Sequence, residues 1–153
     1  MAAAAAGAAL RQAGAYFGRS LPRRAVLTVP SSDWKKLTKI PTFSNTDCVV
    51  IDLEDGVAEI AKQTARENLA RYLTESASKL NREICVRINA VSSKHIDDDV
   101  KLVKDLSTSI DCLFVPKVDS VDEMKWLADR LGVRIEYHID IEEFSFCLVE
   151  STV

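Results

Sequence analysis

The sequence predicts an α/β fold built on a parallel sheet, and three observations carry that expectation. Short apolar runs alternate with segments of helical periodicity. The runs are near-continuously hydrophobic rather than alternating, as strands are when a parallel sheet is covered on its faces. Their centres recur every 24 to 35 residues or so, about the size of a βαβ repeat.

Taken in order, Ala25 to Pro30 (AVLTVP) is the first strand-like run, and Ser32 or Asp33 caps a short helix through Ile40. Asp47 to Leu53 (DCVVIDL) is the second run. It precedes a helix with the stripe Ala61, Ala65, Leu69 and Leu73. Ile84 to Ala90 (ICVRINA) is the third, followed by the stripe Ile96, Val100, Val103 and Leu106. Cys112 to Val118 (CLFVPKV) is the fourth. The next helix carries Val121, Met124, Leu127, Ala128 and Leu131, with a Ser120/Glu123 capping box before it and Gly132 after it. Phe144 to Val149 (FSFCLV) reads as a fifth strand. Arg134 to Ile141 (RIEYHIDI) alternates, as an edge strand or an irregular connection would.

Repeating βα units imply right-handed crossovers. Two folds share that pattern: an open doubly wound sheet, and a (β/α)8 barrel of about 250 residues represented here by its first half.

Composition narrows the function classes. The chain has 153 residues, 47% hydrophobic and 28% charged, which suits one domain with a real core. No apolar run approaches the roughly 20 residues that span a bilayer. A net charge of −3, with no arginine patch interleaved with aromatics, gives no basis for nucleic-acid binding. Neither a G-x-G-x-x-G nor a P-loop is present.

Charge is uneven along the chain. The first 32 residues hold Arg11, Arg19, Arg23 and Arg24 and no acid, whereas the rest carries 16 basic against 23 acidic residues. An Ala- and Arg-rich, acid-free leader over residues 1–22 reads as a mitochondrial transit peptide, with a disordered tail as the alternative. Residues 23–153 are then the folded part. Cys48, Cys85, Cys112 and Cys147 lie in apolar runs without C-x-x-C spacing, so buried thiols are expected rather than disulfides or zinc.

In parallel α/β folds, active sites gather at the C-terminal strand ends. Those ends are unusually charged here. They carry Ser31 to Asp33, then Asp52, Glu54, Asp55 and Gly56, then Arg87 and Asn89, then Lys117, then Glu150. A cation within an apolar strand is costly unless paired. Arg87 and Lys117 beside an acidic cluster therefore suggest a buried ionic site. A purely structural charge network explains Arg87 equally well, and a solvated turn explains the D-L-E-D-G run. Lys35 and Lys39, four apart, share a helix face that is either solvated or placed to meet a phosphate.

Five segments occur together and in order: R-R-A-V-L-T-V-P from Arg23, D-C-V-V-I-D-L-E-D-G-V from Asp47, K-x-x-A-R from Lys62, V-R-I-N from Val86 and P-K-V from Pro116. This set resembles the HpcH/HpaI aldolase and citrate lyase β family, and the leader and the V-S-S after R-I-N-A resemble its mitochondrial members. The resemblance implies the N-terminal half of a Mg2+-dependent (β/α)8 TIM barrel, homotrimeric at full length, located in the mitochondrial matrix. It implies cleavage of a 3-hydroxyacyl-CoA such as citramalyl-CoA into acetyl-CoA and pyruvate, its partners being the acyl-CoA and a 2-oxo acid.

Residue by residue, the resemblance assigns Lys35 and Lys39 to the CoA-bearing substrate. Arg87 is assigned to the region of the reacting carbonyl, and Glu54 and Asp55 to the acidic lining. Thr28 stands where close relatives carry a substrate-contacting tyrosine, and Ser31 replaces a glycine. Glu150 matches the first metal ligand. The second metal ligand and a late catalytic aspartate have no counterpart before Val153, so a chain ending there is expected to turn over little. A CoA-ester-binding or interaction module is the alternative.

Overall fold

The computed structural model describes residues 23–76 and 82–132, and the backbone of 134–136 and 147–149. The four apolar runs become strands that pair in parallel. Strand β1 (Val26–Pro30) lies beside β2 (Cys48–Asp52), β2 beside β3 (Glu83–Arg87), and β3 beside β4 (Cys112–Phe114). Between them run helix α1 (Trp34–Leu37), α2 (Lys62–Ser76) and α3 (Ile96–Asp105), and α4 (Val121–Leu131) follows β4. None of the described helices is long and apolar enough to cross a membrane.

The sheet order, β1-β2-β3-β4, decides between the two folds left open by the sequence. A doubly wound sheet reverses its strand order at a switch point. Here each strand simply adds beside its predecessor. The helices also share one face. Val29, Val49, Ile51, Ile84, Val86 and Leu113 of the strands join Leu37, Leu69, Leu73, Val100, Val103 and Leu127 of the helices in a single cluster. Each fully buried aliphatic side chain stabilises this layer by roughly 1.5–3 kcal/mol. The opposite face carries a smaller cluster of Cys48, Val50, Cys85 and Cys112, with Phe114 packed against it. Singly wound strands with helices on one side only are the wall of a (β/α)8 barrel.

Cys48, Cys85 and Cys112 are buried, and burial raises the Cys48 thiol far above the ordinary range. They behave as small hydrophobes on the strand face opposite the helices.

Three elements depart from expectation. Helix α1 stops at Leu37 and gives way to a 3-10 turn at Ile40–Thr42, because Pro41 has no N–H to return to the Leu37 carbonyl. Lys35 lies in α1 and Lys39 in the turn that follows it. Strand β4 ends at Phe114 rather than Val118, since Pro116 has no N–H for the ladder and Lys117 turns the chain at φ 54°.

The fifth run supplies β6 (Cys147–Val149), which pairs antiparallel with β5 (Arg134–Glu136) in a separate two-stranded sheet. The leader over residues 1–22 and Glu150 lie outside the described residues.

Candidate active site

The acidic cluster and the strand cations meet at one place because of register. Asp52 and Arg87 are the last residues of β2 and β3 and are directly in register. Parallel neighbours in register point to the same side, so the carboxylate and guanidinium face each other. Arg87 Nε donates to Asp52 Oδ1 at 2.8 Å and Nη2 to Oδ2 at 2.7 Å, a two-pronged pair. Each Asp52 oxygen accepts a second bond, Oδ1 from the Glu54 N–H at 2.7 Å and Oδ2 from the Gly56 N–H at 2.8 Å. Asp52 is 1% exposed. Burial opposes its ionisation, but the Arg87 bonds and the two backbone donors outweigh it and hold the carboxyl below the usual range. The hydrogen bonds to Asp52 in turn raise the Arg87 guanidinium.

This pairing shapes the D-L-E-D-G turn. With two backbone N–H groups bound to Asp52, the chain folds back over the strand end, and a Cβ on Gly56 would fall 2.5 Å from Asp52 Oδ2. Glycine is required there by close approach. Glu54 is thereby turned inward at 5% exposure. Its carboxylate oxygens take no backbone donor. They lie beside cations instead, with Lys117 Nζ 2.8 Å from Oε1 and Arg87 Nη1 3.6 Å from Oε2. The Lys117 ammonium also reaches Asp55 Oδ1 at 3.0 Å, and these two carboxylates, Glu54 first, raise its pKa.

A second buried network supports the first. Lys62, at the start of α2, sends its ammonium under the turn and donates to the Leu53 carbonyl, the Glu54 carbonyl and Asn89 Oδ1, each at 2.7 Å. All three donors are used. Desolvation lowers the Lys62 pKa, and surrounding carboxylates oppose that effect. Asn89 Nδ2 donates to Asp99 at 2.6 Å and to the Leu53 carbonyl at 3.0 Å. Asp99, fully buried, also takes Arg66 Nη1 at 3.2 Å. On the β1 side, the Ser31 hydroxyl and N–H both donate to the Asp52 carbonyl, at 2.7 and 3.0 Å. Four acids (Asp52, Glu54, Asp55, Asp99) thus meet four bases (Arg87, Lys117, Lys62, Arg66) around one end of the sheet.

Of the residues expected from sequence, Arg87, Glu54 and Asp55 come together. Thr28 is in register with Val50, on the same strand face as Asp52 and Arg87. Lys35 and Lys39 are exposed just beyond β1, and neither joins the described ion pairs of the cluster. Asp52, Asn89 and Lys117 are visible in the sequence at the strand ends, Lys117 as one of the two cations expected to meet the acidic cluster, whereas Lys62 and Asp99 are not singled out for the site. A signal exists for both. Lys62 heads the apolar stripe that continues through Ala65 and Leu69, and Asp99 falls on the Ile96, Val100 and Val103 face, so both were placed to be buried. Among the described residues no group of three or more His, Cys, Asp or Glu side chains is arranged to hold a metal ion.

A parallel singly wound sheet with a charged cluster on its C-terminal ends defines the class, a barrel-type α/β protein with its site at the strand ends. The profile of the HpcH/HpaI aldolase/citrate lyase family matches residues 24–150, and the chain belongs to that family. It is 40% identical over 116 residues to the human protein named citramalyl-CoA lyase, mitochondrial, a match that covers 76% of this chain and 34% of the relative. The chain thus spans about a third of the length of this curated relative. Among solved structures, it is similar to the citrate lyase β subunit of Mycobacterium tuberculosis complexed with oxaloacetate and magnesium. That likeness has 27% identity and a TM-score of 0.55 over 68% of this chain and 43% of the other. A CitE structure from the same organism, in complex with magnesium, acetoacetate and coenzyme A, gives 27% identity and a TM-score of 0.54 over 68% and 36%.

Proposed function

We infer that this chain carries the substrate-holding part of a Mg2+-dependent carbon–carbon lyase acting on a 3-hydroxyacyl-CoA such as citramalyl-CoA, with acetyl-CoA and pyruvate as products. The single observation that carries this reading is Arg87. Two of its nitrogens are fixed by Asp52, while Nη1 faces a buried carboxylate, Glu54, 3.6 Å away. A cation so held suits an oxygen on which charge develops, and an inward carboxylate beside it suits proton transfer. Glu54 and Asp55 are the candidates for that role, and Thr28, Lys35 and Lys39 for holding the CoA ester.

Mg2+, when bound, would supply Lewis-acid polarisation of the 2-oxo acid oxygens. Glu150 is its candidate ligand. The mitochondrial relative and the Arg-rich residues 1–22 support a mitochondrial matrix location with 23–153 as the lyase domain. Homotrimeric assembly belongs to the same proposal.

The purified chain, incubated with citramalyl-CoA and Mg2+, is expected to release acetyl-CoA and pyruvate only slowly, and Arg87→Gln to reduce that slow rate at least about 100-fold. The 34% coverage of the relative favours a second reading, a CoA-ester-binding module. It is distinguished by saturable binding of the thioester without product. Neither binding nor turnover refutes both.

A further inference from the structure

Lys117 is the only non-glycine among the described residues with positive φ, at 54°. The left-handed conformation is unfavourable for a residue with a Cβ and persists where surrounding structure imposes it, most often at functional sites. Packing of the side chain does not account for it here, because the Lys117 side chain is 60% exposed. Exposed ion pairs contribute little to folding, so the contact with Asp55, itself 63% exposed, does not explain it either. What the turned backbone achieves is placement. It ends β4 and directs Nζ back across the strand ends to 2.8 Å from Glu54 Oε1 and 3.0 Å from Asp55 Oδ1. Two neighbouring carboxylates repel, and Glu54 is buried with no backbone donor on either oxygen. Its orientation depends on the cations either side of it, Arg87 from β3 and Lys117 from β4.

We propose that Lys117 is a positioning residue, which sets the Glu54–Asp55 carboxylate pair for work on substrate and does so at a backbone conformation that folding alone would not select. The part concerning substrate rests on the lyase reading above; the positioning itself does not. Lys117 need not touch the reacting atoms. It acts through Glu54 and Asp55, so loss of its charge should slow the chemical step more than it weakens substrate capture.

Lys117→Met keeps the aliphatic stem and removes the ammonium; Lys117→Arg keeps a cation. Crystal structures of the full chain carrying each substitution read the positioning directly. In K117M the Glu54 and Asp55 carboxylates are expected to move by more than about 1 Å, a misplacement large enough to matter for catalysis, and in K117R to return. Kinetics with citramalyl-CoA and Mg2+ are expected to show kcat down about tenfold at nearly unchanged KM for K117M, with partial recovery in K117R. Carboxylates that stay in place in K117M overturn the assignment. So does a K117M chain that no longer folds, because Lys117 is then a structural prop. Displaced carboxylates in a chain whose wild type has no turnover leave the positioning standing and remove the lyase reading.

Discussion

At the residue scale, the Asp52–Arg87 pair governs the site. Removing one member of a buried pair strands the other charge, so Arg87→Met is expected to destabilise the chain by about 3 kcal/mol in urea unfolding. Gly56→Ala presses a Cβ onto the same carboxylate and should cost about 1–3 kcal/mol by the same measurement.

Acid acts through depressed carboxyls. Lys94 and His95 hold Glu59 at about 2 against an ordinary 4.5. Its contribution to stability is therefore present above pH 4.5 and lost as pH falls towards 2. Asp52, also lowered, adds in the same direction. Glu59→Gln should flatten the acid side of a stability-against-pH curve, and an unchanged slope contradicts the pairing. Lys117→Gly is expected to melt about 3 °C above Lys117→Ala, since both lose the ammonium and only glycine relieves the backbone.

Arg87 was legible in the sequence because a cation inside an apolar run demands a partner. Its choice of Asp52 over Glu54 was not, because strand register makes that choice. Lys117 was visible as a charge, but its φ of 54° and its reach to Glu54 depend on where β4 stops.

At the element scale, the helices were readable where caps and periodicity agree. Ser120 Oγ accepts the Glu123 N–H at 3.3 Å, and Gly132 ends α4 at φ 72°, as the residues imply. The return half of the capping box differs in detail, because Glu123 reaches the Asp119 N–H at 2.9 Å instead of that of Ser120. Ser120→Ala should cost about 1 kcal/mol in thermal or urea unfolding.

Strand ends were less legible. Apolar composition continues past Arg87 and Phe114, while hydrogen bonding does not. Beyond those residues the backbone serves the site: the Ile88 N–H still reaches the Phe114 carbonyl, whereas Asn89 turns both its N–H and its side chain to Asp99. Helix α1 was overextended because Pro41, not periodicity, ends it.

At the scale of the whole molecule, βα alternation is common to doubly wound sheets and barrels, and no local pattern separates them. Sheet order does, since it records long-range pairing. The same order brings Asp52, Glu54, Arg87 and Lys117 from the ends of three neighbouring strands to one rim.

The rim is proposed as a substrate site and not only as a structural charge network. Calorimetric titration of the full chain with acetyl-CoA, in the presence of pyruvate and Mg2+, tests it most directly. Saturable binding is expected, lost in Arg87→Gln and retained in a control at the distant exposed Lys101. Absence of saturable binding by the wild-type chain, or equal binding by Arg87→Gln, contradicts it.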